Sequence, residues 1–208
     1  NFLEVFRNFG SGGPKAEVSV AVPRDIALNL GVVSAGALVS GIRNDVRLST
    51  VSGDIIADTL TGDLSVNSVS GDVQVRDLTG SVTANSVSGD VAVTGSLRKA
   101  SIDTVSGAML VDATGEVNTI NLNTVAGAGT IRLDAITSAN YVLRSLSGKL
   151  LVDGVERSSS GPTSYTGQIG QLAGSFVDVR ANSVSGGITV LRRPLTTVAD
   201  DAEWESES

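Results

Sequence analysis

Apolar and polar residues alternate along this chain within a longer repeat. The tripeptide Val-Ser-Gly recurs at a constant spacing of 18 residues, beginning at Val51, Val69, Val87 and Val105. Less regular copies begin at Val125, Leu146 and Val184. A repeat of this length indicates an architecture built from one stacked structural unit.

Each unit carries the pattern of β-strands. Six apolar positions recur in register over three units, and in one unit they are Val69, Val73, Val75, Leu78, Val82 and Ala84. Mostly polar residues stand between them, so each half of the unit alternates with period 2 rather than 3.6. A second tripeptide, Leu-Thr-Gly at Leu60 and Leu78, divides the unit into two halves of nine residues.

Units this short cannot bury their own apolar face, so each must lie on its neighbours. The sequence therefore predicts an all-β fold, a right-handed parallel β-solenoid (β-helix) of about eight rungs of ~18 residues each, with an N-terminal cap and one long loop. The glycine of each tripeptide fits a corner, where a residue without Cβ turns most easily. A narrow core of Val, Leu, Ile and Ala also accounts for an aromatic content of only 3%.

Departures from the repeat set the expected boundaries. We expect residues 1–15 to be an N-terminal cap or linker, in which Phe2, Phe6 and Phe9 form a short helix or an irregular plug. The solenoid domain is expected over residues 16–193. Inside it, 157–175 (Arg157–Ser175) is rich in Ser, Gly and Thr, which predicts an inserted surface loop, either functional or decorative. Residues 194–208 are expected to form an acidic, disordered tail.

Composition narrows the function. Cys and His are both absent, which excludes disulfides, Cys/His zinc sites, thiol nucleophiles and imidazole bases. The formal net charge is −7, which argues against a nucleic-acid partner. No run of about 18 apolar residues could cross a membrane, and no signal peptide is visible. No cofactor and no catalytic residue is expected.

Stacking would turn repeated residues into rows. Asp54, Asp72 and Asp90 each follow a corner glycine, and a cation could bind along such a row of carboxylates. The simpler hypothesis is that these carboxylates accept local backbone N–H groups, and it leaves no metal site. Rows of Ser and Thr lie on both sides of the first residue of each tripeptide, and a row of Asn precedes them. For both we expect side-chain hydrogen bonds along a corner.

The phased run from Val51-Ser52-Gly53-Asp54 to Val87-Ser88-Gly89-Asp90 resembles the bacterial adhesin-like or "toastrack" β-solenoid family, a domain family of unknown function. The resemblance covers roughly residues 16–193 and implies the solenoid fold. It also implies a binding or sensing role at the bacterial envelope, and it brings no catalytic motif.

Three functional hypotheses remain. The first is a non-catalytic interaction module, an adhesin or envelope stress-sensing domain, whose partner is a protein, a peptide or a glycan. The second is a self-associating structural scaffold or polymer similar to bactofilins, for which a cytoplasmic location is open. The third is a polysaccharide-active β-helix enzyme, which the single Trp, two Tyr and four Phe do not favour.

Overall fold

The chain folds into stacked β-strands. The computed structural model describes residues 2–8, 15–157, 161–170 and 176–193. The expected acidic tail, Phe9 and parts of the expected loop lie outside these residues. No helix occurs in the described segments. The strands are β1 (Phe2–Asn8), β2 (Lys15–Ala21), β3 (Leu28–Ser34), β4 (Ala37–Ser40), β5 (Val46–Ser52), β6 (Ile55–Ser70), β7 (Val73–Ser88), β8 (Val91–Ser106), β9 (Met109–Thr114), β10 (Thr119–Ala126), β11 (Gly129–Leu133), β12 (Ala139–Ser145), β13 (Leu150–Val152), β14 (Val155–Arg157), β15 (Thr163–Ile169), β16 (Val177–Ser185) and β17 (Ile188–Arg192).

The 18-residue repeat becomes the parallel register of the coil. Strand β6 pairs with β7 along nearly their whole lengths, and Val66 lies beside Ala84, the residue 18 positions later. The same offset joins β5 to β6 and most of β7 to β8. Equivalent residues therefore stack in columns, as the sequence predicts, and the fold is a parallel β-solenoid.

The final coil departs from chain order. Strand β16 lies between β10 and β12, with Ala181 beside both Leu122 and Leu143. Strand β17 lies in the same way between β11 and β13. The solenoid makes about six turns, so the expectation of about eight rungs is slightly too high. The sequence repeat also gives no sign that the last coil fills a gap between two earlier ones.

Antiparallel strands cover the end of the stack beyond β12 and β13. Strand β15 pairs antiparallel with β12, and β14 pairs antiparallel with β13. The expected loop 157–175 is therefore not loop throughout, because residues 163–169 form strand β15. The physical reason is that the outermost rung would otherwise leave its backbone N–H and C=O groups unpaired.

Residues 2–8 form a strand and not the expected short helix. Strand β1 pairs antiparallel with β2 in a sheet separate from the solenoid. The segment Phe2-Leu3-Glu4-Val5-Phe6 is rich in aromatic and aliphatic residues, which favour strands.

The core is a narrow aliphatic column, but one recurrent apolar position is outside it. In the unit that begins at Val69, the other five positions are all buried. Val69 itself is half exposed, and so are its equivalents in the other coils. Strand alternation explains this, because Val66 and Ser68 face inward while Asn67 and Val69 face outward.

Candidate functional site

A row of aliphatic side chains runs along the outside of the solenoid. We define the valine ridge as these eight residues, in the order in which their strands pair: Val33, Val51, Val69, Val87, Val105, Val125, Val184 and Leu146. Their exposed fractions lie between 45% and 71%. Isolated exposed aliphatic residues are common on protein surfaces, whereas a continuous row along the paired strands is an unusual apolar patch.

A groove runs beside the ridge. One cavity, of about 370 Å³, extends from Gly31 on the first coil to Asn85, and a second, of about 360 Å³, extends from Asn85 to Asn182. Because both include Asn85 and Ser86, they form one continuous depression, which we call the axial groove. Ridge residues form one wall of this groove. The other wall begins with Gly31 and Ser49 and continues as the asparagine row, which is interrupted by Asp103.

The asparagine row is held by its own side chains. The Nδ2 of Asn85 donates to Oδ1 of Asn67 at 3.0 Å, and the Nδ2 of Asn182 donates to Oδ1 of Asn123 at 2.9 Å. In the coil between these two pairs the position is Asp103, which accepts from Nδ2 of Asn123 at 2.7 Å. The predicted side-chain hydrogen bonds are therefore confirmed for this row. They fix the wall of the groove in one conformation.

Buried hydroxyls lie beneath the groove. They belong to the Ser and Thr residues that directly precede each tripeptide. Two of them donate to corner carbonyls, the Thr104 hydroxyl to Ser106 O at 3.2 Å and the Ser145 hydroxyl to Gly186 O at 3.0 Å. The other five hydroxyls have no hydrogen-bond partner among the described residues: Thr50, Ser68, Ser86, Thr124 and Ser183. Corner hydrogen bonding is thus confirmed for part of the row.

The carboxylates that follow the corner glycines bind the backbone. Oδ1 of Asp54 accepts the N–H of Asp72 at 2.9 Å, and Oδ1 of Asp72 accepts the N–H of Asp90 at 2.9 Å. Oδ1 of Asp90 accepts the N–H of Ala108 at 2.7 Å. Each carboxylate therefore serves a corner amide of the next coil, which is the simpler of the two hypotheses for this row. Within the described residues, no group of three Asp or Glu side chains is placed to hold a metal ion.

Ion pairs fasten the out-of-order coil. Arg193 follows β17 and pairs with Asp112 and with Asp134, which lie on two different earlier coils. Arg192 contacts Asp153 at 3.5 Å on the other side of the same coil. These residues occur once rather than in every repeat, so periodicity gives no signal for them.

A buried tyrosine lies at the same end of the stack. Tyr141 is fully buried on β12, and burial raises the pKa of its hydroxyl, an effect that the neighbouring Arg192 cation partly offsets. Its ring lies 6.5 Å from that of Tyr165 on β15, and the guanidinium of Arg157 lies 4.4 Å from the centre of the Tyr165 ring. Tyr165, the aromatic residue of the expected loop, thus packs the covering strand β15 against β12.

The stacked parallel coils place the chain among the β-solenoid proteins. The model of the family described as Toastrack DUF4097, whose function is unknown, matches residues 39–103. Those residues form the most regular part of the coil, so the match and the stacking together confirm the resemblance to the toastrack β-solenoid family. No curated protein and no solved structure matches this chain. Among the described residues, no helix is long and apolar enough to cross a membrane.

Proposed function

We propose that this chain is a non-catalytic interaction module of the bacterial envelope, with an adhesin or stress-sensing role, and that it binds its partner along the valine ridge and the axial groove. One observation carries the proposal. The ridge continues along the paired strands from Val33 to Leu146, although an aliphatic residue at this outward position adds nothing to the core.

The chemistry of the groove favours binding over catalysis. Among the described residues that line its two cavities, Asp103 is the single ionisable side chain, and it already accepts a hydrogen bond from Asn123. Glycoside hydrolysis generally requires two carboxyl groups facing one bond. The groove instead offers aliphatic side chains and amides in fixed positions, which suit a long, uncharged surface on a partner.

The rigidity of the scaffold supports the same role. Parallel backbone pairing and columns of like residues hold the groove in one shape, so little conformational entropy is lost when a partner binds. The envelope location rests on the toastrack resemblance. Protease shaving of intact cells, followed by fractionation, tests it: we expect the protein to be removed from the cell surface. Protection from protease and recovery in the cytosol would refute the adhesin role.

The binding surface is tested by photo-cross-linking in the native cell. A photoreactive amino acid at position 87, on the ridge, is expected to give a discrete adduct. The matched control is position 38, since Leu38 is also an exposed aliphatic residue but lies off the ridge on β4. Equal labelling from both positions would remove the ridge as a binding surface.

The two other hypotheses have separate tests. A polymer similar to bactofilins requires both ends of the coil to be open, whereas β14 and β15 cover one end with antiparallel strands. We therefore expect sedimentation velocity to show no species that grow without limit with concentration. An enzyme acting on polysaccharides would release products from acidic or neutral glycans, and we expect none.

A further inference from the structure

We propose that the axial groove of one copy receives the valine ridge of a second copy, so that the chain forms a parallel two-fold dimer. This inference rests on the proposed function, because it names the partner of the same surface. Three features of the structure support it: the shape of the surface, its repeat and its area.

The shape of the surface is self-complementary. The ridge and the groove run side by side along the solenoid, so one copy presents a projection next to a depression that follows it from Val33 to Val184. A two-fold axis parallel to the coil axis, placed between ridge and groove, brings each ridge over the groove of the other copy. An axis perpendicular to the coil would set ridge against ridge instead. Insertion therefore requires the two copies to run in the same direction.

The repeat of the surface matches in the same way. Adjacent coils are about 4.8 Å apart, so ridge side chains recur at that distance along the whole groove. In a parallel pair, each ridge valine meets the groove of the other copy at the height of the same coil. A partner with a different repeat would lose this match after a few coils. Two such aliphatic rows can pack without trapped water, as the facing sheets of a steric zipper do.

The charge and the area of the surface also fit a second copy. The cavity between Gly31 and Asn85 has no ionisable residue in its described lining, so two copies meet without repulsion there. At about half exposure, the eight ridge residues present on the order of 600 Å², near the ~800 Å² per partner that a stable interface buries. The neighbouring Ser and Asn side chains can supply the remainder.

Cysteine cross-linking in the full chain tests both the contact and its direction. The chain contains no Cys, so Val51→Cys, Val69→Cys and Val105→Cys each introduce a single thiol. With a short bismaleimide, we expect all three variants to form covalent dimers in high yield, since parallel copies place the same coil of each copy side by side. Leu38→Cys and Ile136→Cys are the matched controls, exposed by 70% and 82% and lying off the ridge. They are expected to remain monomeric on denaturing gels.

The relative direction of the two copies is decided by which of the three positions cross-link. An antiparallel pair would cross-link efficiently at one central level and not at both Val51 and Val105. That result would overturn the inference. Equal cross-linking from the ridge and from the control positions would overturn it as well.

Light scattering with size-exclusion chromatography measures the association itself. The wild-type chain is expected to show a dimer whose dissociation constant rises at least a hundredfold in Val87→Lys, because a buried unpaired charge opposes packing. Leu38→Lys is the control and should leave the dimer unchanged. Both positions are exposed, and unchanged circular dichroism will show that both variants fold.

The outcomes separate this inference from the proposed function. A wild-type chain that stays monomeric, yet gives adducts with another envelope component from position 87 in cells, overturns the dimer and leaves the proposed function intact. A monomeric chain that gives no ridge adduct overturns both. A dimer that Val87→Lys does not weaken overturns the inference, since a different surface must then hold it.

Discussion

Coils approach one another very closely at the corner glycines, and Gly71→Ala should destabilise the whole solenoid. Gly71 has φ of +121°, and a Cβ added there would lie 2.3 Å from the carbonyl oxygen of Gly53 and 2.7 Å from its carbon. Both atoms belong to backbone, so neither can move without shifting a coil.

The size of the effect follows from strain and from lost hydrogen bonds. Forcing a residue with Cβ into this backbone region costs about 1–3 kcal/mol. Relieving the contact means separating two coils at the corner, where Gly53 N–H donates to Ser70 O at 3.1 Å and Ile55 N–H donates to Asp72 O at 2.9 Å. Each such bond contributes about 1 kcal/mol net. We therefore expect a loss of about 3–5 kcal/mol, a large part of the stability of a typical domain.

Two other glycines separate the causes. Gly41 has φ of +73°, and a Cβ added there would meet nothing within 4 Å, so Gly41→Ala introduces strain without a clash. That change should cost about 1–2 kcal/mol. A Cβ on Gly31 also meets nothing within 4 Å, and Gly31→Ala should change stability by no more than about 0.5 kcal/mol.

Urea unfolding followed by far-ultraviolet circular dichroism measures all three variants. Midpoints should fall in the order Gly31→Ala, Gly41→Ala, Gly71→Ala, with the last much lower and with m values unchanged. If Gly71→Ala is no more destabilising than Gly41→Ala, the contact between coils does not limit the corner, and the reasoning fails.

Three further predictions concern single side chains. Asp72→Ala should lower stability by about 1–2 kcal/mol, because the N–H of Asp90 loses a charged acceptor, and Asp72→Asn should lower it by less. Thermal melts measure both variants. A wild-type melting midpoint raised by added calcium would show instead that the row binds a cation. Because burial raises the pKa of Tyr141, its neutral form favours the folded state, so stability should be intact below about pH 10 and decline above it. Urea unfolding between about pH 9 and 11 should show a shallower decline for Tyr141→Phe, and identical slopes would rule out that contribution. Arg193→Met should reduce the amide protection of residues 177–192 in hydrogen exchange about tenfold, since one guanidinium joins that coil to two others. The control is Arg180→Met, which removes an exposed ion pair within the same coil and should leave the protection unchanged. Equal effects of the two variants would show that the ion pairs of Arg193 do not stabilise the coil.

Part of the candidate site is visible in the sequence. Asn recurs at one position of the repeat, in Asn67 and Asn85, and Asp recurs at another, in Asp54, Asp72 and Asp90, so their stacking and their hydrogen bonds follow from the period. The ridge is harder to assign. An apolar residue such as Val69 is expected in the core because of its side chain. Its outward orientation depends on where the strand alternation places it relative to the corner. The ion pairs of Arg193 give no periodic signal, because they join residues far apart in the chain.

The coil, its 18-residue register and its aliphatic core can all be derived from the sequence, because each of them follows from the spacing of like residues. The order of the last coils, in contrast, emerges only from their packing in three dimensions. Equivalent residues such as Leu122, Leu143 and Ala181 occupy the same position in every unit, so the repeat does not distinguish one neighbour from another. The choice falls to contacts made once: the pairs of Arg193, the hydrogen bond from Asn182 to Asn123, and the antiparallel strands that cover the outermost rung.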